Sequence, residues 1–476
     1  MLKDCDSLSP IDVAVTERTG PTDLVDFSEM LARGRADAEG PRRDPLDPAG
    51  LARTRRRRIR RRITWLVVLL VIVAAIGTYL PLTLLAPLSA ASLATSKPSF
   101  TQPGAVVLTL PSVGEAAVSV TGAEAYPRTV GTNGILASSG GAGPLPIASI
   151  SKLITALVVL EAKPLSGTEP GPTLTFSKPD HDLYDQYYVL GASVEPMKTG
   201  STLSEHDALA VMLVASACNY ADAVSTWAFG SRARYLSVVK SWLATHGLTG
   251  TTIVEPTGID PRNVSTPADL IAIGKLAMAN PAVAAIVGSR AIALPGVGSL
   301  PNNNISLGSE GINGIKTGTL DTAGSSLLFS ATADVGLAKP ITIVGVILGG
   351  DSRESVDRAA QLMIHGIRSG FHTVQLVGAG TVVGGYSTPW KDRAGVVTGG
   401  RASVLTWSDT PITSKMTIKP LTIAAGRTAS NGSTVGSLDF VVAGAPIVVP
   451  LVLDGSISGP DGWWRLTHPG ELLSGR

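Results

Sequence analysis

The chain has 476 residues, a formal net charge of +2 and a hydrophobic content of 44%, which is enough for two folded domains with appended segments. Eight of its basic residues are arginines between Arg53 and Arg62, and without them the remainder has a charge near −6. This balance argues against a protein that binds nucleic acid through overall basic charge. The six histidines form no metal-ligand pattern and no phosphate-cradling loop is present, so we predict neither a metal nor another cofactor.

The N-terminal region is charged and has no clear periodicity. Residues 1–50 are rich in Asp, Glu, Arg, Pro and Gly, a composition that favours disorder, and we predict a disordered tail over residues 1–62 with an arginine-rich end. The arginine run has an alternative interpretation as a site for nucleic acid or anionic lipid. Its position directly before an apolar segment favours a role in setting membrane orientation.

That apolar segment begins at Ile63, and no charged residue follows until Lys97. A membrane helix needs roughly 20 residues of this kind, so we predict a transmembrane helix over residues 63–85. Positive charge stays on the cytoplasmic side of such a helix. The sequence therefore predicts that residues 1–62 lie inside the cell and that the rest of the chain lies outside.

The segment after the span, residues 86–104, is rich in Ser, Ala and Pro and is predicted to be a linker. Its small residues between Ser89 and Ala94 are compatible with cleavage. A cytoplasmic segment this long is unusual for a signal peptide, however, and we expect a retained anchor. The topology also separates the two cysteines, since Cys5 would lie inside and Cys218 outside, where they cannot pair within one molecule.

A helix is predicted near residue 150. Apolar residues recur at helical spacing between Ile150 and Val158, and prolines just before them are typical of a helix start, so Ser149 should open the helix. Residues three apart are neighbours on a helix, which puts the Lys152 amine beside the Ser149 hydroxyl. A serine hydroxyl needs a base within hydrogen-bond reach to become a nucleophile, and a lysine can provide one. The free N–H groups of the helix start would favour a developing negative charge.

The string Lys-Thr-Gly occurs twice, at Lys198 and at Lys316. The first copy precedes a loop and helix-cap pattern that begins at Ser201, and we interpret it as structural. The second is followed by a turn sequence that ends at Gly324 and by further apolar runs, a pattern that predicts a strand at a hairpin. Gly318 would leave the surface of this strand open to a peptide laid alongside it.

Beyond Phe371 the pattern changes to short runs of Val, Ile, Leu and Thr broken by glycine, which predicts a small β domain over residues 371–476. Near its end, Trp463 and Trp464 are interpreted as a pair packed in the core, and the alternative is that they stack on sugars. The last residues, from Glu471, are too few for an amphipathic membrane helix. We therefore expect the N-terminal span to be the anchor.

Three motifs carry a resemblance to a known family: Ser149-Ile-Ser-Lys152, Ser216-Ala-Cys218 and Lys316-Thr-Gly-Thr319. The chain resembles the penicillin-binding protein and serine β-lactamase superfamily, and within it the low-molecular-weight D-alanyl-D-alanine carboxypeptidases of peptidase family S11. The resemblance covers about Ala105 to Arg368 and implies an α+β fold over residues 105–370, an antiparallel sheet flanked by helices with a helical subdomain. Besides the three motifs, the matching segments are Leu145–Lys152, Pro256–Asp260, Ser265–Leu270 and Asn313–Gly324.

The resemblance implies catalytic roles for three residues. Ser149 would be acylated by the penultimate D-alanine of a peptidoglycan stem peptide, and Lys152 would take its proton. Ser216 would relay a proton toward the leaving D-alanine. The backbone N–H groups of Ser149 and Thr319 would form the oxyanion hole, and β-lactams would acylate the same serine as covalent inhibitors.

The resemblance also implies a substrate-binding strand. Lys316, with Thr317 and Thr319, would hold the terminal carboxylate of the peptide, which lies along the open surface at Gly318. A cationic side chain and hydroxyls near an open strand suit a small substrate that ends in a carboxylate.

Cys218 departs from the family pattern, which has asparagine at this position. Asparagine donates and accepts hydrogen bonds, whereas a thiol does both weakly, so substrate orientation would lose on the order of 1 to 3 kcal/mol. We expect a small buried thiol that fills this part of the substrate site. Two alternatives stay open: Asn219 takes the place of the missing amide, or Cys218 is itself a nucleophile, although no histidine lies nearby in sequence to activate it.

The sequence therefore predicts a membrane-anchored serine-type D-Ala-D-Ala carboxypeptidase that trims peptidoglycan stem pentapeptides through a Ser149 acyl-enzyme. The competing hypothesis is a peptidoglycan-binding protein that lost turnover with the motif asparagine. A class A β-lactamase is a minor alternative, because Glu255-Pro-Thr-Gly-Ile259 lacks the asparagine that accompanies its deacylating glutamate. Expected partners are the stem peptide, β-lactams and the membrane, with no nucleic acid.

Overall fold

The structure is a computed structural model that describes residues 48–131, 134–141 and 143–474. The chain forms two compact units, one that ends at Leu85 and one that begins at Ala86. Most of the predicted disordered tail lies outside the described residues.

The helices are α1 (Pro48–Leu84), α2 (Pro127–Val130), α3 (Ser151–Ala162), α4 (Lys178–Tyr188), α5 (Glu205–Val214), α6 (Cys218–Phe229), α7 (Arg232–Thr245), α8 (Pro267–Ala279), α9 (Pro281–Gly288), α10 (Arg353–Ser369), α11 (Gly462–Thr467) and α12 (Pro469–Ser474). The strands are β1 (Ser92–Thr95), β2 (Glu115–Thr121), β3 (Ala137–Ser139), β4 (Leu145–Pro146), β5 (Thr173–Thr175), β6 (Thr202–Ser204), β7 (Val264–Ser265), β8 (Ala291–Leu294), β9 (Gly298–Pro301), β10 (Ile312–Leu320), β11 (Gly324–Ala333), β12 (Ile341–Gly350), β13 (Phe371–Val377), β14 (Val382–Ser387), β15 (Arg393–Thr398), β16 (Ala402–Trp407), β17 (Ile412–Ile418), β18 (Thr428–Ala429), β19 (Thr434–Val442), β20 (Ala445–Asp454) and β21 (Ile457–Ser458).

Helix α1 contains a stretch, Arg55–Leu84, that is long and apolar enough to cross a membrane, and an 18-residue part of this stretch has a mean hydropathy of 2.5. Its apolar side chains, such as Trp65 and Leu70, are exposed, as in a helix that faces lipid. The helix begins at Pro48, so residues 48–62, which were expected to belong to the disordered tail, are helical. Arginine, leucine and alanine are strong helix formers, and the arginine run therefore extends the helix toward its N-terminus.

The second unit contains a five-stranded antiparallel sheet with the strand order β10-β11-β12-β2-β3. Alternate residues of a strand face opposite sides, and both faces are covered. Leu328 and Val344 belong to the apolar cluster that includes α8, whereas Phe329 and Ile343 belong to the cluster that includes α10. The predicted α+β architecture is confirmed, and β10, which carries the second Lys-Thr-Gly, is an edge strand of this sheet.

A helical region carries the other two motifs. Helix α3 is buried from Ser151 to Leu160, because it is apolar on nearly every side and packs among α5, α6, α7 and α8. Helix α6 begins at Cys218, directly after a tight connection from α5. The Ser204 hydroxyl caps α5 by accepting a hydrogen bond from the Asp207 N–H, so the helix cap predicted after the first Lys-Thr-Gly is confirmed.

The strands after α10 form the β13-β16 pair and, together with β1 from the start of the unit, a six-stranded antiparallel sheet in the order β1-β14-β15-β20-β19-β17. Strand β1, which lies in the predicted linker, is the edge of the larger sheet, where its backbone pairs with β14. This part of the linker is therefore structured. Trp464 is partly buried, but Trp463 is 73% exposed, so the prediction of a packed pair is wrong for Trp463, because short α11 turns that ring outward.

Candidate active site

Ser149 lies in the 3-10 turn Ala148–Ile150, which leads into α3, so it opens the helical segment as predicted. Nζ of Lys152 lies 2.9 Å from Oγ of Ser149 and donates a second hydrogen bond, of 2.7 Å, to the carbonyl oxygen of Thr257. Lys152 is fully buried. The turn has a strained backbone, because Ala148 adopts a φ of 46°, a conformation that costs on the order of 1 to 3 kcal/mol and is concentrated at functional sites.

The loop that carries Thr257 is fixed by two side chains whose role the sequence did not reveal. The carboxylate of Glu255 accepts hydrogen bonds from the backbone N–H groups of Thr257 and Gly258, at 2.7 and 2.5 Å. Asn263 donates to this carboxylate and to the Ser151 hydroxyl. Both oxygens of Glu255 are thus engaged in holding the loop, which is a structural role.

Lys316 and Ser216 form a second lysine–serine pair. Lys316 is buried on β10, and its Nζ donates to Oγ of Ser216 over 3.0 Å and to the Thr317 carbonyl over 3.2 Å. Ser216 lies between α5 and α6 with a φ of 63°, another strained position. Burial, and after it the positive charge of Lys152, lowers the pKa of the Lys316 amine well below its usual range.

Strand β10 passes close to the Ser149 turn, and Gly318 makes this approach possible. A Cβ at position 318 would lie 2.9 Å from the Ile147 carbonyl oxygen and 3.4 Å from the Ser149 nitrogen. Any larger residue would push the strand away from the turn. The contact places the strand segment that includes Thr319 next to the backbone nitrogen of Ser149.

These groups meet at a cavity of about 290 Å³. Lys152 and Lys316 lie behind its wall, each hydrogen-bonded to one serine, whereas Lys198 of the first Lys-Thr-Gly does not line it. In the described part of the chain, no group of three or more His, Cys, Asp or Glu side chains is placed to hold a metal. The predicted site residues that line the cavity are Ser149, Ser216, Cys218, Thr317, Gly318 and Thr319.

Cys218 is buried at the first turn of α6 and contributes to the cavity wall. The side-chain amide of Asn219 donates to the Glu195 carbonyl over 2.7 Å and accepts from the Glu195 N–H over 3.1 Å. The alternative in which Asn219 takes the place of the missing amide is therefore contradicted. No histidine lines the cavity, so the structure offers no partner of the kind that activates a nucleophilic cysteine.

Arg353 was not identified from the sequence, yet it lines the cavity as the first residue of α10. Its Nε donates to the Thr319 hydroxyl over 3.2 Å. A guanidinium stays charged and matches a carboxylate with two donors, so Arg353 extends the positive end of the cavity beyond Lys316. The sequence signal was weak, because Ser352 followed by Arg353 after an apolar strand indicates an ordinary helix start.

Comparisons with known proteins agree with the motifs. Residues 128–351 match the model of a family described as D-alanyl-D-alanine carboxypeptidase. The D-alanyl-D-alanine carboxypeptidase DacC of Escherichia coli is 27% identical over 245 residues, which are 50% of this chain and 59% of that protein. A D-alanyl-D-alanine endopeptidase of Pseudomonas aeruginosa is 31% identical over 127 residues, 26% of this chain and 37% of that protein. The chain thus spans less than two thirds of the length of these curated relatives.

Among solved structures, the D-alanyl-D-alanine carboxypeptidase DacD from Francisella tularensis is 15% identical and has a TM-score of 0.49, with 77% of this chain and 97% of that chain covered.

Proposed function

We propose that the protein is a serine-type D-Ala-D-Ala carboxypeptidase, since residues 128–351 match the model of the D-alanyl-D-alanine carboxypeptidase family. It removes the terminal D-alanine from peptidoglycan stem pentapeptides. The proposal rests on the convergence of two lysine–serine pairs at one cavity, with a Lys152–Ser149 distance of 2.9 Å and a Lys316–Ser216 distance of 3.0 Å. Such pairs activate a hydroxyl without a histidine.

In the first half of the reaction, Oγ of Ser149 attacks the carbonyl carbon of the penultimate D-alanine, and the hydroxyl proton passes to the Lys152 amine. Negative charge develops on the former carbonyl oxygen. The backbone N–H groups of Ser149 and Thr319 stabilise this oxyanion by roughly 3 to 4 kcal/mol per donor. The C–N bond then breaks, the proton that Lys152 took from Ser149 reaches the leaving amine through Ser216, and the serine keeps the acyl group as an ester.

In the second half, water attacks the ester carbon, Lys152 accepts a proton from that water, and Ser149 regains its hydroxyl as the shortened peptide leaves. A β-lactam goes through the first half only. After the bond between the carbonyl carbon and the ring nitrogen breaks, the other ring atoms still join that nitrogen to the acyl fragment, so the leaving amine stays in the cavity. This explains why a carboxypeptidase of this kind is inhibited covalently by β-lactams.

The carboxylate of the terminal D-alanine binds at the positive end of the cavity. Lys316, Thr317, Thr319 and Arg353 supply its hydrogen-bond donors, and the guanidinium accounts for most of the charge when Lys316 is neutral. The negative carboxylate of the bound substrate also favours the charged form of Lys316. The peptide lies along edge strand β10 in the manner of an added strand.

One residue of the cavity, Cys218, favours a second candidate function. Cys218 in the cavity wall provides only a weak donor and acceptor, which suits a peptidoglycan-binding protein that has lost turnover. The intact pairs of Ser149 with Lys152 and of Ser216 with Lys316 argue for catalysis, and we place the binding protein second. Lactam hydrolysis is a weaker candidate, because Glu255 holds a loop.

We further propose the placement of the enzyme in the cell. Helix α1 spans the membrane with residues 1–62 in the cytoplasm, since eight arginines precede the apolar stretch. Residues 105–370 form the catalytic domain on the outer side, and residues 371–476 form a β domain that serves as a platform near the cell wall.

A fluorescent penicillin tests the acyl-enzyme. We expect one covalent adduct per chain, attached to Ser149 and absent from Ser149→Ala. The matched control is Ser193→Ala, a change in the same cavity wall that should keep the adduct. An adduct that survives in Ser149→Ala would contradict the assignment of the nucleophile.

A further inference from the structure

Trp463 is an indole with no place in the proposed reaction. It lies on α11 with 73% of its surface exposed. The next residue of the helix, Trp464, stacks on His468 at a ring distance of 4.8 Å and meets the edge of Trp390 at 5.7 Å. A single exposed apolar side chain is common at protein surfaces, so the case for a contact here depends on where Trp463 lies in the fold.

The aromatic cluster lies at one end of the six-stranded sheet. Trp390 follows β14, and its Nε1 donates to the Ser458 carbonyl in the short strand after β20. Ser387, the last residue of β14, pairs with Ser92, the first residue of β1. The cluster is therefore at the end of the sheet where the chain enters the second unit.

Arg465 fixes this end to the start of the unit. Its guanidinium is buried and donates to the carbonyl oxygen of Ala86. Only Leu85 separates Ala86 from Leu84, the last residue of α1, and two residues span at most about 7 Å. Ala86, which accepts the hydrogen bond of Arg465, is therefore held by the covalent chain within about 7 Å of the last residue of α1.

We propose that Trp463 inserts into the outer interface of the lipid bilayer and holds the β domain against the membrane surface. The inference rests on the proposed membrane span of α1. Indole rings favour the headgroup level of a bilayer, since they combine a large apolar surface with one N–H donor. A six-residue helix is too short to bind a membrane by its own apolar face, but a single indole next to a covalent anchor adds to binding that already exists.

Charges at the same end favour a bilayer with anionic headgroups. Lys391, Arg393 and Arg427 are exposed in or beside the turns that surround the cluster. Two carboxylates of this region, Asp392 and Asp461, accept hydrogen bonds from the backbone N–H groups of Ser458 and Trp464. Exposed cations near a surface of anionic lipid contribute about 1 kcal/mol each.

The test uses the full chain in vesicles of phosphatidylcholine and phosphatidylglycerol whose acyl chains are brominated near the headgroup, where bromine quenches indole fluorescence. Trp65 in α1 and Trp463 should be the quenched indoles. We expect Trp463→Phe to reduce the quenched emission by about half. Trp227→Phe is the control, since this ring packs under Lys163 on the catalytic domain and its loss should leave the quenched amplitude unchanged.

An unchanged quenched amplitude in Trp463→Phe would overturn the inference while quenching of Trp65 still supports the span. Loss of quenching at Trp65 as well would overturn both the span and the contact. Protection of Trp463 from acrylamide by soluble glycan strands, but not by vesicles, would assign the ring to carbohydrate and also overturn the inference. D-alanine release from the same samples should be equal in the wild type and Trp463→Phe, which separates this result from the proposed activity.

Discussion

At the scale of single residues, we propose that Cys218 limits how well the site orients its substrate. The family pattern has asparagine where this chain has a buried thiol, and Asn219 is fully engaged with the Glu195 backbone. A thiol orients a peptide backbone more weakly than an amide does. We expect Cys218→Asn to preserve kcat/KM for D-alanine release or to raise it by up to about tenfold, which is about 1.4 kcal/mol.

The control for this change is Cys218→Ala. If the thiol only fills space, Cys218→Ala should keep kcat/KM within a few-fold of the wild type, although it leaves a small cavity. A large loss of activity in both variants, measured with the same peptide, would show that the thiol has a role of its own.

The sequence predicted part of this site and missed another part for a physical reason. Ser149 and Lys152 are one helical turn apart, so their contact follows from helix geometry alone. Arg353 and Asn263 reach the site from α10 and from the loop before β7, and only the tertiary fold brings them there. A lone arginine or asparagine in a sequence carries no sign of such a position.

At the scale of secondary structure elements, α5 carries a buried carboxylate at its start. Glu205 is fully buried, and neither of its carboxylate oxygens has a hydrogen-bond partner among the described residues. Burial raises the pKa of this carboxyl to about 7, and the charge of Lys163 opposes the shift only in part. Helix α5 ends just before Ser216. Ionisation of the buried Glu205 carboxyl would therefore destabilise a helix that positions a residue of the site.

The pH dependence follows from the direction of this shift. Between about pH 4.5 and 7 the folded protein holds a proton that the unfolded chain has released, so the free energy of unfolding falls as the pH rises through this window. In the wild type, the free energy of unfolding should fall by about 2 to 3 kcal/mol across this window. Glu205→Gln, whose side chain cannot ionise, should not show this fall. Urea unfolding of residues 86–476 at several pH values measures it. Parallel pH profiles for the wild type and the variant would contradict the expectation.

The elements themselves followed local patterns well where the pattern was strong. The hairpin of β10 and β11 and the cap of α5 at Ser204 match their turn and cap residues. The sequence predicted a linker where the structure has strand β1. A segment of Ser, Leu, Ala and Thr has no strong local preference and forms a strand here because the edge of β14 is available for pairing. Trp463 was missed for the converse reason, since an apolar residue at the surface has no distinct local signal.

At the scale of the whole molecule, the proposed topology places the two cysteines on opposite sides of the membrane. Cys5 precedes the arginine run, and Cys218 is buried in the second unit. We expect an impermeant maleimide to label Cys5 only after the membrane is permeabilised. The experiment uses Cys218→Asn as background, and Ser99→Cys, at an exposed position beyond the span, is the control that should react in intact cells.

Labelling of Cys5 in intact cells, together with protection of Ser99→Cys, would reverse the proposed orientation. It would also place the cavity on the side of the membrane that has no cross-linked peptidoglycan. The activity and the topology are therefore tested separately, since either result is possible for a chain with an intact site.

The central claim is that Ser149 carries out D-Ala-D-Ala carboxypeptidase chemistry, and release of free D-alanine tests it most directly. The full chain in detergent is given a pentapeptide that ends in D-Ala-D-Ala, beside Ser149→Ala and beside Lys198→Met, a control in the first Lys-Thr-Gly. We predict release by the wild type and by Lys198→Met, and a loss of at least about 10³-fold in Ser149→Ala. Release that persists in Ser149→Ala, or its absence from folded wild-type protein, would contradict the account.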